Sequence, residues 1–326
     1  MSSAVGTRPP RHAAPAPTRP ERRQRSFRLG RWDIKYSPYL YIAPFFVLFG
    51  VFGLFPVLYT VYVSLFDYDL LSGTKEYAGL ENYRFVLADS QFWNAVYNTV
   101  GMFVVSTVPQ LILALVIANL LNRQMRGRTL LRMGIVIPNI TSVAAVGIIF
   151  GLIFADRYGL VNWLLGGIGV DPIAWRDNRF ASWIAVAFMV DWRWTGYNAL
   201  IYLGAMQAIP KDLYESASLD GASAWGQFWR ITVPLIRPTI IFTIIISTIG
   251  GLQLFTEPLM YGYGMVRGGA DHQFQTLAMY IYERTFTNNF EYGVGAAMSW
   301  LMFLMIIIFA LINFALVRRS VKGETK

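Results

Sequence analysis

The sequence contains no cysteine and only two histidines among its 326 residues. The missing thiols exclude disulfide bonds, thiolate catalysis and thiolate metal sites. His12 and His272 lie far apart in unrelated contexts, which excludes a multi-histidine metal site. The remaining candidates for acid, base or metal chemistry, Asp156, Asp171 and Asp177, are scattered without ligand spacing. We therefore expect no catalytic residue, no metal and no bound cofactor in this chain.

Charged residues are also scarce: they make up 14% of the chain, where soluble proteins usually have about a quarter. Hydrophobic residues make up 55%, and the mean hydropathy is +0.42. A net charge of +9 on a soluble surface would indicate nucleic-acid binding. Here the Lys and Arg residues cluster at the ends of apolar runs, so we predict a multi-pass membrane protein with no nucleic-acid partner.

Six segments are long and apolar enough to cross a bilayer, which takes about 20 residues. They are roughly 38–66, 96–121, 130–154, 180–206, 235–258 and 293–317. Asp191 and Arg193 interrupt the fourth, which we still treat as a single span. Pro56, Pro109 and Pro138 are predicted to kink the first three. The sequence thus predicts an all-α membrane protein whose domain, 38–318, contains six transmembrane helices.

The distribution of basic residues predicts the orientation. Most of the 28 Lys and Arg residues fall in the tail 1–37, between spans 2 and 3, between spans 4 and 5, or around the C-terminal tail 319–326. Positive charge concentrates on the cytoplasmic side, so both termini are predicted to be cytoplasmic. The Pro/Ala/Arg-rich composition of the tail 1–37 predicts disorder.

The loop 209–231, between spans 4 and 5, is too polar to cross a membrane. Pro210 and Gly221 are predicted to bound one short helix, because proline suits a helix start and glycine the left-handed residue past its end. "SAWGQFWRI" predicts a second, in which Trp225, Phe228 and Trp229 share one face at i, i+3 and i+4. On the pattern alone, the loop is either an amphipathic connector at the lipid interface or a docking element.

The spacing favours docking. Glu215, Ala217, Gly221, Ile231 and Pro234 follow the order E-x-A-x(3)-G-x(9)-I-x-x-P, which resembles the EAA loop in the membrane subunits of binding-protein-dependent ABC importers. "YAGLENYRFVL" (Tyr77–Leu87) and "YGLVNWLL" (Tyr158–Leu165) are similar to the carbohydrate branch of that family. The resemblance covers roughly residues 38–318.

The resemblance implies a type I ABC importer permease fold in the cytoplasmic membrane of a bacterium or archaeon. It implies four kinds of partner besides the bilayer: a second six-span permease subunit, two cytoplasmic ATPase subunits that bind ATP and magnesium, an extracytoplasmic solute-binding protein, and a sugar. The chain has no G-x-x-x-x-G-K-[ST] P-loop of its own, in agreement with a separate ATPase. The loop would then be a coupling helix that meets the ATPase, through Glu215, Ser216, Ala217, Asp220, Gly221, Ile231 and Pro234.

Polar residues within the spans are the candidate substrate path. Burying a polar side chain in the hydrocarbon core costs free energy, so such residues usually have a function there. They and the neighbouring aromatic residues are Asp191, Arg193, Trp194, Asn198, Gln253, Phe255 and Glu257. The alternative for Asp191 and Arg193 is an ion pair that only supports packing. For Gly250-Gly251, in span 5, a helix break and a packing contact remain open.

Two other classes compete with the importer subunit. A secondary transporter of six spans would need an internal repeat or an oligomer, and no convincing repeat relates spans 1–3 to spans 4–6. A membrane-embedded enzyme would need clustered acid, base or metal groups. Within the importer class, the resemblance favours a disaccharide, oligosaccharide or glycoside. Glycerol-3-phosphate or another small polar solute remains an alternative because Arg193 could meet a phosphate, although the adjacent Asp191 favours a neutral ligand.

Overall fold

The computed structural model describes residues 29–68, 75–123, 126–288 and 290–322. The described chain is mainly helical and divides into two compact units, the first ending at Val57 and the second beginning at Leu58. This boundary falls inside the predicted domain 38–318. The predicted tail 1–37 lies largely outside the described residues, as does half of the C-terminal tail 319–326.

The first unit contains α1 (Leu29–Phe49), a π-helical turn (Gly50–Leu54) and the start of α2 (Phe55–Ser64). The helix starts earlier than the predicted span at 38 and runs through Pro38 and Pro44. The part of this helical stretch that is long and apolar enough to cross a membrane is Tyr36–Ser64, close to the predicted span 38–66. Large apolar side chains of α1, such as Phe45 and Leu48, are exposed.

The second unit begins with a short antiparallel hairpin, β1 (Phe66–Tyr68) with β2 (Lys75–Tyr77), in which Phe66 pairs with Tyr77. Helices α3 to α16 follow. Their bounds are α3 (Glu81–Ala88), α4 (Ser90–Asn122), α5 (Arg128–Gly134), α6 (Ile137–Ile140), α7 (Val143–Ile153), α8 (Leu160–Gly167), α9 (Arg179–Gln207), α10 (Lys211–Leu219), α11 (Ala224–Gln227), α12 (Val233–Leu235), α13 (Arg237–Leu252), α14 (Thr256–Tyr261), α15 (Leu277–Tyr282) and α16 (Tyr292–Lys322).

Helices α4 and α9 form the centre of this unit and make its most extensive helix contact. Glycines permit the close approach. A Cβ at Gly101 would lie 2.2 Å from the ring of Trp183, and one at Gly196 would lie 1.7 Å from the carbonyl oxygen of Ile135. Small residues at helix crossings are typical of membrane bundles, where van der Waals packing stabilises association.

The predicted third span, 130–154, is not one helix. It consists of α5 and α6, then α7, with a bend of 92°. At the break, Thr141 is extended and Ser142 is not helical, and the Thr141 hydroxyl donates to the carbonyl of Ile137. Polar side chains that bond to nearby backbone compete with helix continuation, and Pro138 has no N–H to donate.

The predicted fifth span, 235–258, is also interrupted. Helix α13 ends at Leu252 and α14 begins at Thr256. Gly250 and Gly251 are themselves helical, so the break follows the pair. A Cβ at Gly251 would lie 2.7 Å from the ring of Phe103, which makes this glycine a packing contact with α4.

Among the described residues, three helices are long and apolar enough to cross a membrane: Tyr36–Ser64, Ser90–Asn122 and Tyr292–Ala315. Counting each bent pair as one span gives up to five. The 29-residue helix α9, which contains Asp191 and Arg193, is not among them. It coincides with the predicted fourth span.

The segment after α14 folds against the start of α4. The Asn98 side chain donates to the carbonyls of His272 and Gln275, at 2.8 and 3.0 Å. The Tyr280 hydroxyl donates to Asp89. Burial raises the pKa of Tyr280, and the hydrogen bond to Asp89 raises it further, so the phenol keeps the proton that it donates.

Candidate functional site

A cavity of about 230 Å³ lies between α4, α9, α13 and the turn into α14. Its wall is mostly apolar and aromatic, with amide and hydroxyl groups interspersed, the composition expected of a small-molecule site. The lining residues are Thr107, Gln110, Val190, Trp194, Tyr197, Asn198, Ile246, Ser247, Gly250, Gly251, Gln253, Leu254, Phe255, Thr256 and Glu257.

The structure places five of the seven candidate path residues in this wall: Trp194, Asn198, Gln253, Phe255 and Glu257. Helix α9 contributes the first two, the interruption between α13 and α14 contributes Gln253 and Phe255, and the first turn of α14 contributes Glu257. Asp191 and Arg193 do not line the cavity.

Arg193 forms an ion pair, but not with Asp191. Its Nη1 lies 2.5 Å from Oε1 of Glu257, and each side chain is only 9% exposed. The guanidinium also lies 5.8 Å from the ring centroid of Trp194. The partner is separated by 64 positions in the sequence, and the pair joins α9 to α14. Asp191 Oδ1 is buried without a hydrogen-bond partner among the described residues.

Several wall residues were missed by the sequence reasoning. Gln110 of α4 is 3% exposed, and its Nε2 has no hydrogen-bond partner among the described residues. Asn198 Nδ2 approaches Ser247 Oγ at 3.4 Å, and the Trp194 and Tyr197 rings meet edge to face. The sequence did contain a signal for Gln110. An amide side chain within the apolar run of span 2 costs free energy in the hydrocarbon core, and this cost indicates a function. The wall can hydrogen-bond a polar ligand and stack against it.

The second candidate region is the hairpin formed by α10 and α11. Helix α10 ends where the sequence predicts, with Gly221 in the left-handed region at φ +79°. The Ala222 N–H donates to the carbonyl of Ala217 and the Gly221 N–H to that of Ser218, at 2.9 and 3.1 Å. These are the two bonds of a Schellman motif. The helix begins at Lys211, with Pro210 as its N-cap instead of its first residue.

Helix α10 contains no buried residue. Glu215, Ser216 and Asp220 are exposed, and Leu219 is 90% exposed. A nine-residue helix of this kind gains little stability from its own length, so its neighbours must hold it in place.

Two side chains connect α10 to the segment that follows. Gln227 Nε2 donates to Ser218 Oγ at 2.9 Å and to the carbonyl of Ala222 at 3.2 Å. The hydroxyls of Tyr214 and Thr232 lie 2.9 Å apart. Neither Gln227 nor Tyr214 was among the predicted site residues, since both contacts depend on the folded hairpin.

The aromatic cluster follows α10 and connects the hairpin to the bundle. The Trp225, Phe228 and Trp229 ring centroids lie 5.1 to 5.9 Å apart, as their spacing predicts. Phe228 is 5% exposed and belongs to the core cluster that contains Met206 and Ile236, whereas Trp225 is 68% exposed. Phe228 is thus the anchor of the three. Ile231 and Pro234 lie farther along, in the π-helical turn Phe228–Thr232 and in α12.

No group of three or more His, Asp or Glu side chains within the described ranges is placed to hold a metal ion.

Residues 93–322 match the family model described as binding-protein-dependent transport system inner membrane component. The chain belongs to this family. The match confirms the resemblance read from the hairpin, and it includes both the cavity and the hairpin.

Curated relatives align over most of their length. The chain is 36% identical over 279 residues to the lactose transport system permease protein LacF of Rhizobium radiobacter, covering 85% of this chain and 92% of that protein. It is 34% identical over 274 residues to the trehalose/maltose transport system permease protein MalF of Thermococcus litoralis, covering 84% and 91%. These names agree with the carbohydrate branch.

A solved structure shares the fold. A chain of a bacterial alginate ABC transporter in complex with an alginate pentasaccharide-bound periplasmic protein aligns with a TM-score of 0.72, at 21% identity, over 90% of this chain and 99% of that chain.

Proposed function

We propose that this chain is the membrane subunit of an ATP-driven ABC importer for a disaccharide, oligosaccharide or glycoside. The observation that supports the proposal is the exposed hairpin of a chain of this family, whose residue spacing resembles an EAA loop and whose first helix ends in a Schellman turn. Relatives named for lactose and for trehalose/maltose support the substrate class.

The ATP-binding subunits are separate chains in this proposal. Each would receive a coupling helix in a groove, with Glu215 and Asp220 offering charged contacts and the small residues allowing close approach. A short helix that is held by Gln227 and Tyr214 can transmit a rigid-body displacement to the bundle through Phe228. The chain itself carries out no covalent step.

The cavity between α4, α9 and α13 is the proposed half of the translocation pathway that this chain supplies. Trp194, Tyr197 and Phe255 offer aromatic faces for sugar rings, and Gln110 and Asn198 offer amides for hydroxyl groups. The interruption before α14 supports this assignment, because transporter sites often lie at broken helices.

The proposed assembly contains this chain, a second six-span subunit, two ATPase subunits and a solute-binding protein outside the cytoplasm. The chain would cross the membrane six times with both termini in the cytoplasm, α9 supplying the fourth crossing. The distribution of Lys and Arg supports this orientation.

An alternative substrate is glycerol-3-phosphate, because the chain is 29% identical over 289 residues to the sn-glycerol-3-phosphate transport system permease protein UgpA of Agrobacterium fabrum. The test is ATP hydrolysis by the reconstituted complex with its binding protein. Disaccharides and glycosides should stimulate hydrolysis. Stimulation by glycerol-3-phosphate alone would favour the alternative, and hydrolysis that responds to no solute would contradict both.

A further inference from the structure

Of the two charged residues in the Arg193–Glu257 pair, only the acidic one lines the cavity. Of the described lining residues, Glu257 alone is ionisable near neutral pH, and its carboxylate is bound to Arg193. The other polar lining groups are amides and hydroxyls. A ligand in the cavity therefore meets one carboxylate, several neutral dipoles and aromatic rings.

The cation of the pair is withdrawn from the cavity. Arg193 is 8% exposed and does not line the cavity, whereas Glu257, its ion-pair partner, does. Its Nη1 is occupied by the carboxylate at 2.5 Å. A phosphate or a uronic acid carboxylate would need a free guanidinium or ammonium group, and it would instead approach the oxygen atoms of Glu257 in a poorly hydrated site.

We propose that the Arg193–Glu257 pair makes this cavity selective for uncharged saccharides over anionic ones of the same size, an inference that rests on the function proposed above. Glu257 is the specificity-determining residue, since it neutralises Arg193 and presents its carboxylate to the ligand. Gln110 contributes a buried amide donor that no described residue accepts from and that a sugar hydroxyl can satisfy. Glycerol-3-phosphate is accordingly a poor ligand.

The test uses the complex of this chain with its second membrane subunit and the ATPases in nanodiscs. The binding protein is omitted because it makes its own selection. Calorimetric titration compares methyl β-glucoside with methyl β-glucuronide, and methyl β-galactoside with methyl β-galacturonide. Within each pair only the group at C6 differs, CH₂OH in one and carboxylate in the other.

The wild-type complex should bind at least one neutral glycoside about tenfold more tightly than its uronide, or better. Glu257→Gln leaves the Arg193 cation without a counter-charge, and should shift the ratio toward the uronide by about tenfold or more, because an uncompensated positive charge next to the wall attracts an anion in a poorly hydrated site. Arg193→Gln leaves the carboxylate uncompensated and should shift the ratio the other way. Glu76→Gln, on the exposed strand β2, is the matched control and should leave it unchanged.

Equal affinity for both members of every pair, or a ratio that neither variant moves, overturns the charge selection while leaving sugar transport intact. Binding of neither glycosides nor uronides by the wild-type complex overturns the proposed sugar cavity as well. If Glu257→Gln does not assemble, Arg193→Gln and the double variant Arg193→Gln/Glu257→Gln decide the matter. The double variant removes the carboxylate that repels an anion together with the cation behind it, and should reduce the preference for the neutral glycoside without reversing it.

Discussion

Gln227 Nε2 of α11 donates to Ser218 Oγ of α10 at 2.9 Å, across the turn at Gly221. The same amide donates to the carbonyl of Ala222 at 3.2 Å. One side chain therefore binds both the last turn of α10 and Ala222, the residue that follows the Gly221 turn. Since α10 has no buried residue of its own, this contact and the hydroxyl pair of Tyr214 and Thr232 hold the helix to the segment that follows it.

Gln227→Ala should uncouple ATP hydrolysis from transport. Without the amide, α10 can tilt when the ATPase contacts it. The displacement of the ATPase then moves α10 alone and is not transmitted to the membrane helices. We expect sugar-stimulated ATP hydrolysis to fall several-fold while the thermal stability of the complex changes little, because the lost hydrogen bonds are worth about 1 kcal/mol each. Gln207→Ala, at the exposed end of α9, is the control. Unchanged stimulation of ATP hydrolysis by sugar in Gln227→Ala would show that the hydrogen bonds of Gln227 are not needed for coupling.

Gly221→Ala should loosen the end of α10. A left-handed conformation costs a residue with a Cβ about 1–2 kcal/mol, and there is no other obstacle, since nothing lies within 4 Å of the added atom. The dissociation constant of the complex with the ATPase, followed by co-purification, should rise by about the factor that corresponds to this free energy. Gly226→Ala, in α11, adds the same methyl group at a helical position and should have no such effect. Equal behaviour of the two variants would contradict the role of the turn.

Glu215→Lys should abolish transport without preventing insertion. Glu215 is exposed on α10, so the new charge meets solvent in the isolated chain and disturbs only a partner that approaches the helix. The measurements are protease accessibility for insertion and uptake of labelled sugar into vesicles for transport. Glu76→Lys, exposed on β2, makes the same charge change elsewhere. Wild-type uptake by Glu215→Lys would mean that this face of α10 touches no ATPase.

Local signals predicted the hairpin well, and long-range contacts escaped the sequence reasoning. Gly221 ends α10 because backbone conformation at one residue decides a Schellman turn, and the aromatic cluster depends only on helical spacing. The Arg193–Glu257 pair joins residues 64 positions apart, and Asp191 was the nearer candidate in the sequence. The non-helical residues Thr141 and Ser142 interrupt a span that hydropathy alone predicts to be continuous, because mean hydropathy does not register competition for backbone hydrogen bonds.

Gln110→Leu should weaken sugar binding without destabilising the chain. The amide nitrogen of Gln110 is buried and has no hydrogen-bond partner among the described residues. Replacing the side chain with an apolar one of similar size removes the free-energy cost of desolvating that amide. A hydrogen bond to a sugar hydroxyl is worth about 1 kcal/mol, which corresponds to roughly fivefold in affinity. Titration of the stimulating sugar should show this loss, and thermal denaturation should show equal or higher stability. Lower stability with unchanged affinity would make Gln110 a structural residue.

Gly196→Ala should destabilise the bundle far more than Gly204→Ala on the same helix. The added Cβ at Gly196 would lie 1.7 Å from the backbone carbonyl oxygen of Ile135, which cannot move aside cheaply, whereas nothing lies within 4 Å at Gly204. Overpacking of this kind costs about 1–3 kcal/mol. Thermal denaturation in detergent should separate the two variants clearly. Equal stability would mean that α9 is not packed closely against the segment between α5 and α6.

Uptake of labelled sugar by proteoliposomes tests the central claim most directly. The vesicles contain this chain, its second membrane subunit and the ATPases, with the binding protein on the opposite side from enclosed ATP and magnesium. The sugar is the one that stimulates ATP hydrolysis most strongly. The account predicts uptake that requires ATP, the ATPases and the binding protein, and that Glu215→Lys abolishes. Uptake by this chain without ATP or ATPases, driven by an ion gradient, would contradict it.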